Sequence, residues 1–587
     1  MPAAAPRRIE ERIPRWAPWL VAACLAAGAA AIILYANRGT TFLLDDWAYL
    51  VQRSGRLTEA SLFGTQNGNW TTTVVLSYRG LADVFGLGSY LPWRLALLAT
   101  HLGACALVYV FAARRVGPWW ALLALSLVLV SRGWEMLLWP FQIGQALSVL
   151  AGLGALLLLD RRDLRGDLGA SALLLVSLAS SSYGPPFLLV AAVELLLSRR
   201  SGLWVLVAPA AAWVWWQETW NADVPAQGTT DWAGFKSAVN IGWDILPGGP
   251  AAALGTSFAV GRAIVLLLVA LAVARMLLER RVHARLVGLI VAYFAYWASV
   301  GWARSELPNL GQSPRYLGLG VVLFVLVAVE LFAGLDTSRW PERARARIER
   351  LRPAGRTLAL VAFAISALVV ARGVVDTADL MKRGSNASLR LWGERILAQE
   401  AAYGVGRSTL TPASPFFIET SGAFALTLPL GTVEATVRRF GGTIYTGEDS
   451  LLERSQDARA YADLAFYRAQ GPTIVPEPPG LVVSGEPVRV IEGEATTRAG
   501  RGCVRWATES PAAVIVGVPP TGLRVRSPHS GGNVEMSLLR WGDRPFAIEG
   551  VAPPGTSVLV RPRPDEGRRP WRLDVRGPAA TICSLAG

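Results

Sequence analysis

Residues 17–50, APWLVAACLAAGAAAIILYANRGTTFLLDDWAYL, decide the fold class. Positions 17–36 form an uninterrupted apolar run, and about 20 such residues cross a bilayer as one helix. Arg7, Arg8, Arg12 and Arg15 precede it, which by the positive-inside rule puts its start in the cytoplasm. The small residues of AACLAAGAAA also fit a cleavable signal peptide, but the spans that follow favour an uncleaved helix. Beyond it, Leu43, Trp47, Leu50 and Val51 recur at helical spacing. That is the pattern of a short helix at the outer membrane surface with its apolar side among the headgroups. Such a helix would hold Asp45 and Asp46 at the water boundary, ionised at neutral pH, where a carboxylate can serve as general base or metal ligand. The plain alternative is that one of them caps the helix and meets water.

The rest of the chain continues the same message. Of 587 residues, 52% are hydrophobic and only 17% charged, with mean hydropathy +0.37. A soluble domain carries about 25% charged residues, so a disordered, fibrous or purely cytosolic chain is excluded and an α-helical polytopic membrane protein indicated. Ten further apolar runs, at 92–112, 117–132, 142–159, 168–182, 185–198, 202–217, 254–278, 285–302, 315–334 and 357–376, bring the expected spans to about eleven. The arginines support the count, because Arg114 and Arg115, Arg161, Arg162 and Arg165, Arg199 and Arg200, Arg280, Arg281 and Arg285, and then Arg339 through Arg356 fall in alternate loops. Eleven spans starting inside leave the loops 37–91, 218–253 and 303–314, the WEMLLWPFQ turn and everything after 377 on the extracytoplasmic side. The net charge of +14 is nearly all arginine, with only Lys236 and Lys382, and reads as topology and a GC-rich bacterial genome. No basic helix interleaved with aromatics points to nucleic acid. The expected location is the plasma (inner) membrane.

After residue 376 the composition shifts to more Pro and Gly. Residues 1–376 read as the transmembrane domain, 377–475 as an extracytoplasmic mixed α/β region, and 476–587 as a β-sandwich, on segments such as LVVSGEPVRVIEGEA and TSVLVRPRP. Cys24 and Cys105 lie in apolar runs. Cys503 and Cys583 share the polar last third, too far apart for a zinc pattern, and an oxidising compartment would allow them a disulfide.

The acidic pair Asp45–Asp46 in the first long outer loop, the eleven spans and the C-terminal outer domain together resemble the GT-C superfamily of membrane glycosyltransferases, which includes protein O-mannosyltransferases and aminoarabinose transferases. The resemblance covers the layout and few residues. It implies a polyprenyl-phosphate-linked sugar donor, an envelope glycan, lipid or protein as acceptor, and transfer outside the cytosol. Asp45 and Asp46 would then activate the acceptor or bind a divalent cation such as Mg or Mn. Single displacement at an anomeric carbon also needs a positive group for the departing phosphate, and a guanidinium can chelate two of its oxygens. Arg304 in GWARSELPNL and Arg315 in QSPRYLG are the candidates, with Tyr316 beside the latter. Against this, Ser313 and Pro314 can start a helix from which Arg315 merely snorkels to the interface. Glu135, in the apolar turn SRGWEMLLWPFQIGQ, is a second acidic candidate. Gln142 and Gln145, three apart, and Trp47 are candidate substrate contacts, the glutamines equally able to bond a neighbouring helix. A lipid or glycan transporter is the rival reading; it predicts repeated halves and mid-membrane charges. Neither is visible.

Overall fold

The computed structural model describes residues 14, 16–53, 57–199, 202–222, 232–303, 313–335, 363–364, 366–368, 370–418, 427–470, 474–484, 486–493, 496–498, 502–530 and 532–586. The chain divides into two compact units: 1–38, 53–81 and 90–387 form one, and 39–52, 82–89 and 388–587 the other.

In chain order the first sixteen α-helices are α1 (Ala17–Ala36), α2 (Asp45–Ala48), α3 (Glu59–Phe63), α4 (Thr72–Phe85), α5 (Leu91–Val116), α6 (Pro118–Leu129), α7 (Trp134–Leu138), α8 (Ile143–Leu159), α9 (Leu164–Leu178), α10 (Gly184–Leu197), α11 (Val207–Trp216), α12 (Trp232–Ile245), α13 (Gly248–Leu254), α14 (Phe258–Glu279), α15 (Ala284–Ala303) and α16 (Pro314–Phe332). Among the described residues, six helical stretches are long and apolar enough to cross a membrane: α1, α5, Pro140–Leu159, α14, α15 and α16. The chain is a multi-pass membrane protein. Pro118–Leu129 and Gly184–Leu197 are apolar but shorter. Proline sits in the first turn of α1, α5, α6, α10 and α16, where its missing N–H costs nothing. Small residues let helices approach closely: a Cβ on Gly133 would lie 3.0 Å from the Gly318 backbone nitrogen, so the turn before α7 is seated directly on α16.

Two regions expected as loops are built differently. Residues 37–91 contain α2, α3, α4 and a hairpin of β1 (Thr65–Gln66) with β2 (Asn69–Trp70), and 218–253 contains α12 and α13. α2 lies where the spacing of Leu43, Trp47, Leu50 and Val51 predicts a short helix; the others are short or interrupted by polar positions, so no apolar run announces them. The last expected span, 357–376, lies largely outside the described residues.

At the end of the helical unit where α5, α8 and α10 meet the turn into α15, arginines are paired. Arg285 makes two 2.7 Å bonds to Glu194 and also binds Asp160, which Arg115 reaches at 3.3 Å; Arg115 also binds Glu330. Arg275 donates to the carbonyls of Glu330 (2.8 Å), Leu331 (2.7 Å) and Ala333 (2.6 Å), satisfying the C-terminal end of α16.

In the second unit, the short strands β3 (Pro415–Phe417) and β4 (Thr427–Pro429) pair, and β5 (Ile474–Pro476), β6 (Val490–Glu492), β7 (Thr496–Arg498), β8 (Cys503–Gly517), β9 (Leu523–Arg526), β10 (Val534–Leu539), β11 (Gly550–Ala552), β12 (Ser557–Val560) and β13 (Arg572–Ser584) follow. The described strands form one hydrogen-bonded network, in which β13 runs antiparallel to β8 along nearly its whole length, through a register shift at Gly577–Ala579, and pairs with both β10 and β9 on its other edge. Cys503 and Cys583 face each other in this ladder and are disulfide-bonded, Cα–Cα 4.1 Å. Closing a loop of 80 residues contributes about 4 kcal/mol in the chain-entropy account. The helix Gln456–Gln470 docks on the sheet through Asp463, whose carboxylate accepts the backbone N–H groups of Trp541 (3.0 Å) and Gly542 (2.9 Å).

Candidate functional site

The acidic pair stands at the start of α2, in the second unit. Its backbone enters through Leu44 at φ 37°, a region that side-chain-bearing residues avoid, and Asp46 Oδ2 accepts the Leu43 N–H at 2.9 Å across that turn. Asp46 is fully buried, which corrects the expectation that both aspartates meet water; Asp45 is half-buried. The apolar side of the segment is likewise covered by protein rather than by headgroups. Leu43, Trp47, Leu50 and Val51 are all buried, and Trp47 packs edge-on to Phe416 at 5.5 Å and against Phe42 at 6.1 Å. Among the described residues the Trp47 indole Nε1 has no hydrogen-bond partner. Gly393 approaches Thr41 so closely that a Cβ would lie 3.2 Å from its methyl. A hydrophobic side with period 3.6 specifies burial but not by what, which is why a lipid surface and a protein surface read alike.

Asp46 is engaged with its own turn, and among the described residues no three His, Cys, Asp or Glu side chains are grouped for a metal. No step below passes through a metal.

In the helical unit the structure brings together two residues 180 positions apart. Glu135 on α7 and Arg315 in the first turn of α16 form an ion pair, Nε to Oε2 3.0 Å, with the arginine side chain 41% exposed and the glutamate 16%. An ion pair so open to solvent contributes on the order of 1 kcal/mol or less, so it orients the guanidinium more than it stabilises the fold. Two tyrosines fix the same turn. Tyr183 donates its hydroxyl to the Arg315 carbonyl, and Tyr296 donates to the Tyr316 carbonyl at 2.6 Å. The two rings pack edge-to-face at 5.8 Å. Tyr316 is half-buried. Gln142 is buried in the turn before α8, and Gln145, one helical turn on, has a buried Oε1 without a partner among the described residues. Arg304 lies outside the described residues. His101 is a packing residue, its Nε2 3.0 Å from the Leu129 carbonyl.

Tyr296 also lines a cleft of about 330 Å³ that no sequence signal above located. Trp70, Trp213 and Trp216 wall it, with Asn69 and Gln217 at its edge. One signal was available: Asn67-Gly68 is the dipeptide that favours a two-residue hairpin turn, and both adopt positive φ (52° and 75°) between β1 and β2. The hairpin delivers Trp70 to stack on Trp216, centroids 5.8 Å apart and planes 5° from parallel. Buried Arg53 holds the approach to it, bonding the Ser61 carbonyl (2.9 Å), Thr71 Oγ1 (2.8 Å) and the Gly64 carbonyl (2.6 Å).

No protein-family profile matches the chain, and no curated protein does. Among solved structures it is similar to ArnT from Cupriavidus metallidurans bound to undecaprenyl phosphate, at 16% identity and TM-score 0.42, covering 75% of this chain and 87% of that one. It is also similar to ArnT from Cupriavidus metallidurans in the apo state, at 15% identity and TM-score 0.38, covering 75% and 91%. Likenesses this distant assign neither family nor activity.

Proposed function

We propose that the protein is an integral-membrane glycosyltransferase of GT-C type that moves a sugar from a polyprenyl-phosphate donor to a glycan, lipid or protein of the cell envelope. The observation that carries this reading is the Glu135–Arg315 pair at the first turn of an apolar helix. A half-exposed guanidinium, oriented by a carboxylate and set at a helix N-terminus where the backbone dipole also favours anions, is a place for a lipid phosphate whose tail stays in the bilayer. In transfer, the acceptor hydroxyl loses its proton to a carboxylate, its oxygen bonds to the anomeric carbon, and the bond from that carbon to the phosphate oxygen breaks. Polyprenyl phosphate leaves with the bonding electrons. Arg315 stabilises the charge gathering on that phosphate. The topology that goes with this has about eleven spans, the arginine-rich helix ends in the cytoplasm and the C-terminal region outside.

The test is sugar transfer by full-length protein in proteoliposomes with envelope-derived donor and acceptor. Arg315→Ala should lose activity by 10²-fold or more, in the range found when a charge-stabilising donor is removed. Undiminished transfer in the folded variant would remove the site.

A further inference from the structure

We propose that the cleft walled by Trp70, Trp213, Trp216 and Tyr296 is a binding site for a neutral carbohydrate. Its volume of about 330 Å³ falls at the small end of ligand sites, roughly 300–1,000 Å³. Its lining is mostly apolar, with aromatic rings beside Leu178, Pro185, Pro186, Leu189 and Ala295, and carries uncharged amides and hydroxyls; among the described residues it contains no Asp, Glu, Lys, Arg or His. A sugar presents the matching surface: C–H faces that stack on rings, and hydroxyls that both donate and accept. A phosphate or carboxylate would find no cation there.

The platform is set before any ligand arrives. The Trp70 indole N–H donates to Thr72 Oγ1 at 2.7 Å and that of Trp216 to the Phe63 carbonyl at 2.6 Å; both rings are buried and stacked on each other, so they back the cleft, and the half-buried Trp213 offers the more open ring. Asn69 Oδ1 accepts the Ser182 N–H at 3.0 Å, locking the hairpin to the turn between α9 and α10. Gln217 Oε1 accepts from Asn221 at 2.8 Å, which fixes the amide of this lining residue. Rigid rings and fixed amides lower the ordering cost of binding. Tyr296 connects this cleft to the first turn of α16, since it lines one and bonds the backbone of the other. The proposal rests on the glycosyltransferase reading only in making the bound sugar a reactant; binding itself does not depend on it.

Saturation-transfer NMR on the full chain in nanodiscs tests this, with the methyl pyranosides of D-glucose, D-galactose and D-mannose as probes and glucose 1-phosphate as the anionic comparison. The expected result is saturation of ring protons in at least one neutral glycoside and none gained from the phosphate. Trp213→Ala and Gln217→Ala should each weaken the binding about tenfold, with Trp213→Phe restoring part of it and thermal unfolding retained. No saturation of any glycoside by wild-type protein, or unchanged binding in a folded Trp213→Ala or Gln217→Ala variant, overturns the proposal. Transfer is measured in parallel. Glycoside binding without transfer overturns the enzyme reading alone, and transfer without glycoside binding overturns the cleft alone.

Discussion

Arg315 and Asp46 show how position in the fold separates residues of similar sequence promise. Arg315 is half-exposed and oriented by one carboxylate, so its contribution is to a ligand's charge rather than to stability. Arg315→Lys keeps the charge but loses the planar fork, and should raise KM for a polyprenyl-phosphate sugar about 10-fold while leaving thermal unfolding unchanged; steady-state kinetics check it. Glu135→Gln should give a smaller rise, since it loosens the guanidinium without removing it. Asp46 is the opposite case. Removing its carboxylate strands the Leu43 N–H in a buried turn already strained at Leu44, so Asp46→Ala should cost about 1–3 kcal/mol, read as a lowered melting temperature. In Asp45→Ala the melting temperature should move less.

Among the elements, the helix Leu391–Val405 carries a titration. Burial pushes the Glu400 carboxyl up to about 8 from an ordinary 4.5, against the opposing pull of Arg454. Glu549 is raised to about 7 and Asp463 to about 6, again by burial. A raised carboxyl favours the folded state in its neutral form. That stabilisation is complete below about pH 4.5 and is lost as pH climbs through 8. Amide exchange along Leu391–Val405, corrected for intrinsic rates, should therefore be faster at pH 8.5 than at pH 6, and Glu400→Gln should reduce the difference. Such behaviour could not be read from the sequence, because burial of Glu400 depends on tertiary packing. The apolar runs were legible for the complementary reason: a bilayer demands one long apolar stretch per helix, and α1, α5, α14, α15 and α16 all fall within a few residues of their expected places. The short helices α4, α12 and α13 and the aromatic cleft answer to no such local demand. Glu135 and Arg315 could each be singled out by their apolar surroundings, but their pairing across 180 positions is a property of how α7 seats on α16.

For the molecule as a whole, the two ends of the helical unit carry charge in different ways. At one end the arginines that mark topology in the sequence are consumed in ion pairs, Arg285 with Glu194 and Asp160 and Arg115 with Asp160 and Glu330. Their side chains are only 10–11% exposed, so breaking the set leaves carboxylates buried without a counter-charge. Arg285→Met should cost about 3–5 kcal/mol and lower the melting temperature of the purified protein, while the conservative Arg285→Lys costs less. At the other end Glu135 pairs with a half-exposed Arg315, and Tyr296, which lines the uncharged aromatic cleft, bonds the backbone of the same turn. The sharpest test of that view follows the fate of a polyprenyl-phosphate sugar in proteoliposomes with an envelope acceptor present. The account predicts that wild-type protein converts the donor to polyprenyl phosphate with matching gain of sugar on the acceptor, and that Arg315→Ala does not. A donor that crosses the bilayer with its sugar still attached would contradict it and identify a transporter.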